Sequence, residues 1–171
     1  MQIRRRSALA GLSLAWPTAW TALPAWALGK PKGPVVLTLR GKVGITNDAG
    51  AAHFDMAMLE GLPQRSITTR TPWYDGPRKF TGPLLRDVLQ AVGAKGTGLR
   101  AIALNDYKVD IPFEDAIKFE VVMARLLDDK PMPVREKGPL FIIYPFDDKA
   151  ELRVPQYFAR CAWQLRTIEV V

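Results

Sequence analysis

The sequence predicts a single α+β domain rich in β structure, and three observations carry that expectation. Beyond an N-terminal leader of 27 residues, 144 residues remain, a length that suits one hydrophobic core. Short β-branched and apolar runs recur along that stretch, separated by Pro, Gly and Asp-rich connections. Only one segment shows a clear helical period with helix-type ends, so helices are few and short.

The elements follow in order. Lys30 to Pro34 is a Lys/Pro/Gly leash. Val35 to Leu39 is β-rich and bounded by Gly41, which makes it the first strand. Residues 42 to 52 are small and polar, with Asn47-Asp48 and Gly50, and predict a turn and a return strand. Phe54 to Leu59 predicts one or two helical turns before Gly61, and Gln64 to Thr71 is polar and β-branched ahead of a turn-rich stretch, Pro72 to Pro77. The principal helix is expected over Pro83 to Val92. Thr81 or Gly82 would cap it, Pro83 suits its first turn and Gly93 its stop. Leu84, Leu85, Val88, Leu89 and Val92 fall on one of its faces. Ala101 to Leu104, Lys108 to Ile111, Val121 to Leu127, Leu140 to Tyr144 and Leu165 to Val170 read as strands, with Asp128-Asp129-Lys130-Pro131 as the clearest turn. Phe113 to Ile117 and Gln156 to Ala162 read as short helices.

The leader is expected to be a targeting sequence. Arg4, Arg5 and Arg6 precede an uncharged apolar stretch ending in Ala25-Trp26-Ala27, a small-x-small cleavage pattern. Pro17 and Pro24 interrupt that stretch and argue against a retained membrane anchor. Residues 1 to 27 are therefore expected to be a signal peptide cleaved after Ala27, with export to a bacterial periplasm by the Sec or the twin-arginine route. The mature protein is expected not to be embedded in the membrane.

Composition narrows the function. The whole chain carries 24 Lys+Arg against 17 Asp+Glu. Three of those arginines leave with the leader, and the 21 that remain give the mature chain +4, with cations and acids interspersed. Nucleic-acid binding has little support in such a pattern. One cysteine and one histidine exclude a disulfide framework and a Cys/His zinc site. No Gly-rich phosphate loop, paired-His motif or nucleophile elbow is present. Asp128-Asp129 and Asp147-Asp148 read as solvated turns, His53 as a surface or cap residue, and Cys161 as a small buried hydrophobe beside Phe158 and Trp163. No metal is expected.

One segment stands apart. Thr68 to Gly76 combines hydroxyls, the Arg70 guanidinium, Trp73, Tyr74 and Asp75 in a stretch too polar for a core. Such a set suits a flat hydrogen-bonding heterocycle, with the indole as stacking face and polar groups at the ring edge. The residues equally suit a turn with an aromatic lid over the core, and from spacing alone both readings stand.

The run Trp73…Phe80-Thr81-Gly82-Pro83-Leu84-Leu85-Arg86-Asp87-Val88-Leu89 resembles the "W-T-G-V-P-L…L-L" region of the sulfite-oxidase-type (oxidoreductase molybdopterin-binding) domain. Asn105-Asp106-Tyr107…Ile111-Pro112 resembles that family's "D-G-Y…I-P" segment, and Lys137-Gly138-Pro139-Leu140-Phe141 its "G-G-P-L-R" loop. Trp163 to Val170 is similar to its closing strand, so the resemblance spans roughly residues 35 to 171. In the enzymes of the family a cysteine thiolate binds molybdenum shortly before the "W-T-G" region. Here that position falls near Thr69 to Thr71, with no cysteine.

A short, exported, cysteine-deficient version of the domain resembles the small periplasmic pterin-response proteins. That resemblance implies a non-enzymatic protein that binds a reduced pterin. It also implies a partner, the periplasmic portion of a membrane-bound cyclic di-guanylate cyclase/phosphodiesterase. The expected ligand set is Thr69, Arg70, Trp73, Asn105, Asp106, Tyr107, Arg135 and Lys137, with no catalytic residue. Two alternatives stand beside it: a molybdopterin-dependent periplasmic oxidoreductase, and a structural interaction module without a ligand.

Overall fold

A computed structural model describes residues 28–171, and the expected signal peptide lies outside the described residues. β1 (Val35–Gly41) alternates in burial, with Leu37 and Leu39 inside, as a strand covered on one face must. β2 (Ala52–Asp55) returns antiparallel to it, and α1 (Met56–Glu60) follows at once. Asp55 makes that junction: one carboxylate oxygen accepts from Met58 N–H, and the other from the N–H groups of Lys32 and Gly33. The backbone donors, Gly33 first, hold the Asp55 carboxyl below its ordinary range.

β3 (Gln64–Arg70) and β4 (Pro77–Pro83) form a hairpin with Gln64 opposite Pro83 and Arg70 opposite Pro77. α2 (Leu85–Ala91) buries Leu85, Val88 and Leu89 and gives way to Gly93 in the left-handed region. The expected cap at Thr81 or Gly82 is not the one formed, because both residues belong to β4; Leu84 occupies the cap position without a side-chain hydrogen bond. β5 (Gly98–Ala103) begins three residues before the expected Ala101 to Leu104 strand and ends one short of it, with Leu104 in the turn, whereas β6 (Lys108–Pro112) and α3 (Phe113–Lys118) follow as expected. The expected strand over Val121 to Leu127 is two, β7 (Val122–Ala124) and β8 (Leu126–Leu127), and β9 (Lys130–Pro131) turns back on the second. β10 (Phe141–Ile143), α4 (Pro155–Ala159) and β11 (Leu165–Val170) complete the chain.

Three sheets result: β2-β1-β11-β5-β6, β3-β4-β8-β9 and the pair β10-β7. The β1–β11 pair is parallel and the others are antiparallel. One core joins all three, from Leu37 and Phe54 through Phe80 and Val122 to Phe141 and Ile168. Beside it, Asp115 accepts from the Tyr144 hydroxyl at 2.8 Å and from Arg160 at 2.7 Å, so a buried carboxylate is charge-paired and hydrogen-bonded.

Register defines two ends. Leu165 lies opposite Ala103, so the β5–β6 turn (104 to 107) and Trp163-Gln164 share one end, the turn end. Gly41 pairs with Val170, which pairs with Leu99, so Lys42 and residues 96 to 98 lie at the other. Gly44 and Ile45 donate to Val92 O there, and Phe113 to Thr97 O, which brings in the ends of α2 and α3. The six residues of β5 put the two ends roughly 20 Å apart.

Candidate functional site

At the turn end half-buried aromatic side chains pack on the edge of the core, Trp73, Tyr74 and Phe158 among them, with polar side chains around them. The β3–β4 hairpin carries Thr71 to Gly76 at its tip, because its strands diverge beyond the Arg70–Pro77 pair. Trp73, half-buried, sits with its ring centroid 5.5 Å from Phe141, 5.5 Å from Trp163 and 6.4 Å from Phe158. The two indoles meet at 73°, making a corner of two aromatic faces. Trp163 remains 36% exposed. It is held there because Gln164 takes a left-handed φ of 51° just before β11 begins. Gln164 N–H donates to Lys137 O, and its side-chain amide to Val134 O.

Lys137 is the charged member of the group. It closes a short 3₁₀ turn (Val134–Glu136) in the left-handed region, φ 73°. Its Nζ lies 5.3 Å from the Tyr74 ring centroid and 5.7 Å from that of Trp163, cation–π distances to both. On Tyr74 the Arg78 guanidinium carbon also lies 5.5 Å from the ring centroid. Arg78 itself is paired to Asp128 at 2.8 Å.

Two hydroxyls here are buried without a hydrogen-bond partner, Thr71 Oγ1 and Tyr74 OH. Buried polar groups are nearly always paired, to protein or to ordered water, so these two hydroxyls are hydrogen-bonding capacity that the chain itself leaves unused at the hairpin tip. Burial pushes the Tyr74 hydroxyl above its ordinary range, so at neutral pH it is a neutral phenol able to donate and accept.

The other expected ligand residues lie around this centre in different states. Thr69 is 1% exposed and its hydroxyl is committed: it accepts Asp147 N–H at 3.0 Å and reaches Arg70 O at 3.4 Å. Arg70 is exposed and ion-paired to Asp147 at 3.3 Å. Asn105, Asp106 and Tyr107 form the β5–β6 turn, joined to the indole segment by the Leu104 N–H donated to Gln164 O. Within that turn Asn105 Oδ1 accepts Tyr107 N–H, Asp106 pairs with Arg166, and Tyr107 OH approaches Ala159 O at 3.5 Å. Arg135 is outermost, its side chain 84% exposed, and sits 3.6 Å from Glu136. Trp73 and Lys137 thus stand together, Thr69 and Arg70 lie on the Asp147 flank, and residues 105 to 107 lie on the Gln164 flank.

Sequence reasoning missed Thr71, Tyr74, Trp163 and Gln164 as members of this group. Thr71 and Tyr74 lay within the singled-out segment, but a missing hydrogen bond has no sequence signature. Trp163 was legible only as the second of two tryptophans beyond the leader.

The donor set does not fit a molybdenum centre. Residues 69 to 71 offer hydroxyls and a guanidinium where a thiolate would be needed, and a hydroxyl is a poor ligand for that metal. Cys161 is fully buried, and desolvation pushes its thiol well above the ordinary range, which keeps it protonated. Among the described residues no three His, Cys, Asp or Glu side chains converge as metal ligands. His53, on β2, shares a 3.0 Å hydrogen bond with Thr38 Oγ1.

Compared with known proteins, the chain matches no family model and no curated protein. Among solved structures it is similar to the sulfane dehydrogenase SoxCD from Paracoccus pantotrophus, with a TM-score of 0.59 and 16% identity. The match covers 78% of this chain and 37% of that one, so the chain spans little more than a third of the structure it matches. At that identity the likeness shows the fold alone, a compact, sheet-rich α+β domain of the class the sequence predicts.

Proposed function

We propose that this is an exported, non-catalytic protein that binds a reduced pterin at the turn end. By that reading it reports the pterin to the periplasmic portion of a membrane-bound cyclic di-guanylate cyclase/phosphodiesterase. The observation that carries the ligand class is the pair of hydroxyls without a partner, Thr71 Oγ1 and Tyr74 OH, in the same hairpin tip as Trp73, whose indole meets that of Trp163. A pterin is flat and edged with donors and acceptors, so an indole face and neutral hydroxyls serve it together. Lys137 supplies a cation for a carbonyl or anionic tail. The leader supports export, and no helix among the described residues is long and apolar enough to cross a membrane. The likeness to a dehydrogenase scaffold keeps a molybdopterin-dependent oxidoreductase as the second reading.

Titration with tetrahydrobiopterin, with thermal unfolding of the same samples, tests the site. Trp73→Ala is expected to weaken binding by about tenfold or more, and Trp73→Phe to retain part of the affinity. A large melting loss with unchanged affinity assigns Trp73 to the core lid and removes it from the site.

A further inference from the structure

A groove lies at the opposite end, where the proposed pterin chemistry has no role. α2 presents Arg86, Leu89, Gln90 and then Gly93 at i, i+3, i+4 and i+7, one helical face. α3 presents Phe113 and Ile117, also i and i+4, towards it. Between them runs a groove of about 370 Å³, inside the size range of small-molecule sites. Leu89, Phe113 and Ile117 give it an apolar stretch, with the Asp87 carboxylate at the Arg86 end, away from Lys95. Ile117 stands 58% exposed on a six-residue helix that has Glu114 and Lys118 as its other outward residues. Exposing an isoleucine there gains nothing within this chain.

The groove continues across Gly93 into a second lobe lined by Val43, Gly44 and Ile45. At the join the two loops pack backbone to backbone: a Cβ on Gly44 would lie 3.3 Å from Gly93 O. Lys42 and Lys95 border the second lobe, and Lys95 N–H donates to Lys42 O, which sets two ammonium groups on adjacent loops. Among the described residues neither has a carboxylate within 4 Å, whereas Arg86 is flanked by Asp87 at 3.8 Å and Glu120 at 3.9 Å. An apolar trough that ends at two uncompensated cations is complementary to a molecule with one alkyl chain and one anionic head.

From this geometry we infer that the α2–α3 groove binds a single-chain anionic amphiphile. The chain lies along Leu89, Phe113 and Ile117, and the head lies between Lys42 and Lys95. The inference is independent of the pterin reading. Amide chemical shifts of the ¹⁵N-labelled protein, titrated with dodecanoate and with dodecyl phosphate below their micelle concentrations, test it. Saturable shifts confined to residues 89–95, 113–117 and 42–45 are the expected result. The head that binds more tightly identifies a carboxylate or a phosphate source. Ile117→Asp and Lys95→Glu, both at exposed positions, should each weaken binding about tenfold with unchanged melting temperature. The inference fails if neither compound saturates, if dodecyltrimethylammonium binds equally well, if the shifts fall at the turn end, or if both variants bind as the parent does.

Discussion

Tyr74 separates a ligand site from ordinary packing. Its hydroxyl is buried and unpaired, so deleting it removes a group that folding leaves without a partner. Tyr74→Phe should leave stability equal to or above the parent in a denaturant melt, while tetrahydrobiopterin affinity falls several-fold. If the hydroxyl instead serves folding, the melt loses stability and the affinity stays put. Cys161 is the opposite case. Its thiol is enclosed by core residues, burial raises its pKa, and it makes a 3.5 Å approach to Tyr157 O. Cys161→Ser therefore keeps ligand binding and costs about 1–3 kcal/mol of stability for a hydroxyl in an apolar site. Abolished binding in a folded variant would contradict that assignment. Both residues were present in the sequence, but only Cys161 could be read there, because burial follows from neighbours such as Phe158 whereas an unmet hydrogen bond does not.

Among the elements, α2, α3, β6 and β11 lie where the apolar periods and the Gly and Pro punctuation put them. β4 was hidden. It begins and ends with proline and carries Arg78 and Lys79, yet it lies inside its sheet between β3 and β8. Backbone approach explains why such a sequence works: a Cβ on Gly82 would fall 2.0 Å from Met123 O, so only glycine lets β7 cross there. Gly82→Ala should cost at least about 2 kcal/mol by forcing β4 and β7 apart, read as a lowered denaturant midpoint; an unchanged midpoint would show that the strands yield at no cost. The division of the 121 to 127 strand has a similar cause. Up to Ala124 the chain pairs with β10, and from Leu126 it pairs with β4, with Arg125 N–H donated to Thr81 O between them. A continuous apolar run cannot announce a change of partner.

At the scale of the whole molecule, the sheets hold two chemically different ends apart. Aromatic rings, orphan hydroxyls and Lys137 gather at one, and an alkyl-sized groove with paired lysines lies at the other. The fold class was legible in the sequence because strand periods and turn residues are local. The grouping of Trp73 with Trp163 was not, since ninety residues separate them and only the register of β11 against β5 brings the second indole to the hairpin tip. That grouping, in a scaffold with no thiolate at residues 69 to 71, is the basis for a pterin without molybdenum. Mass spectrometry of the small molecules released on denaturing protein purified from a molybdenum-cofactor-competent host tests it most directly, with metal analysis of the same sample. A reduced pterin released in proportion to protein, without molybdenum, is the predicted result; stoichiometric molybdenum with molybdopterin, or no bound pterin at all, would contradict it.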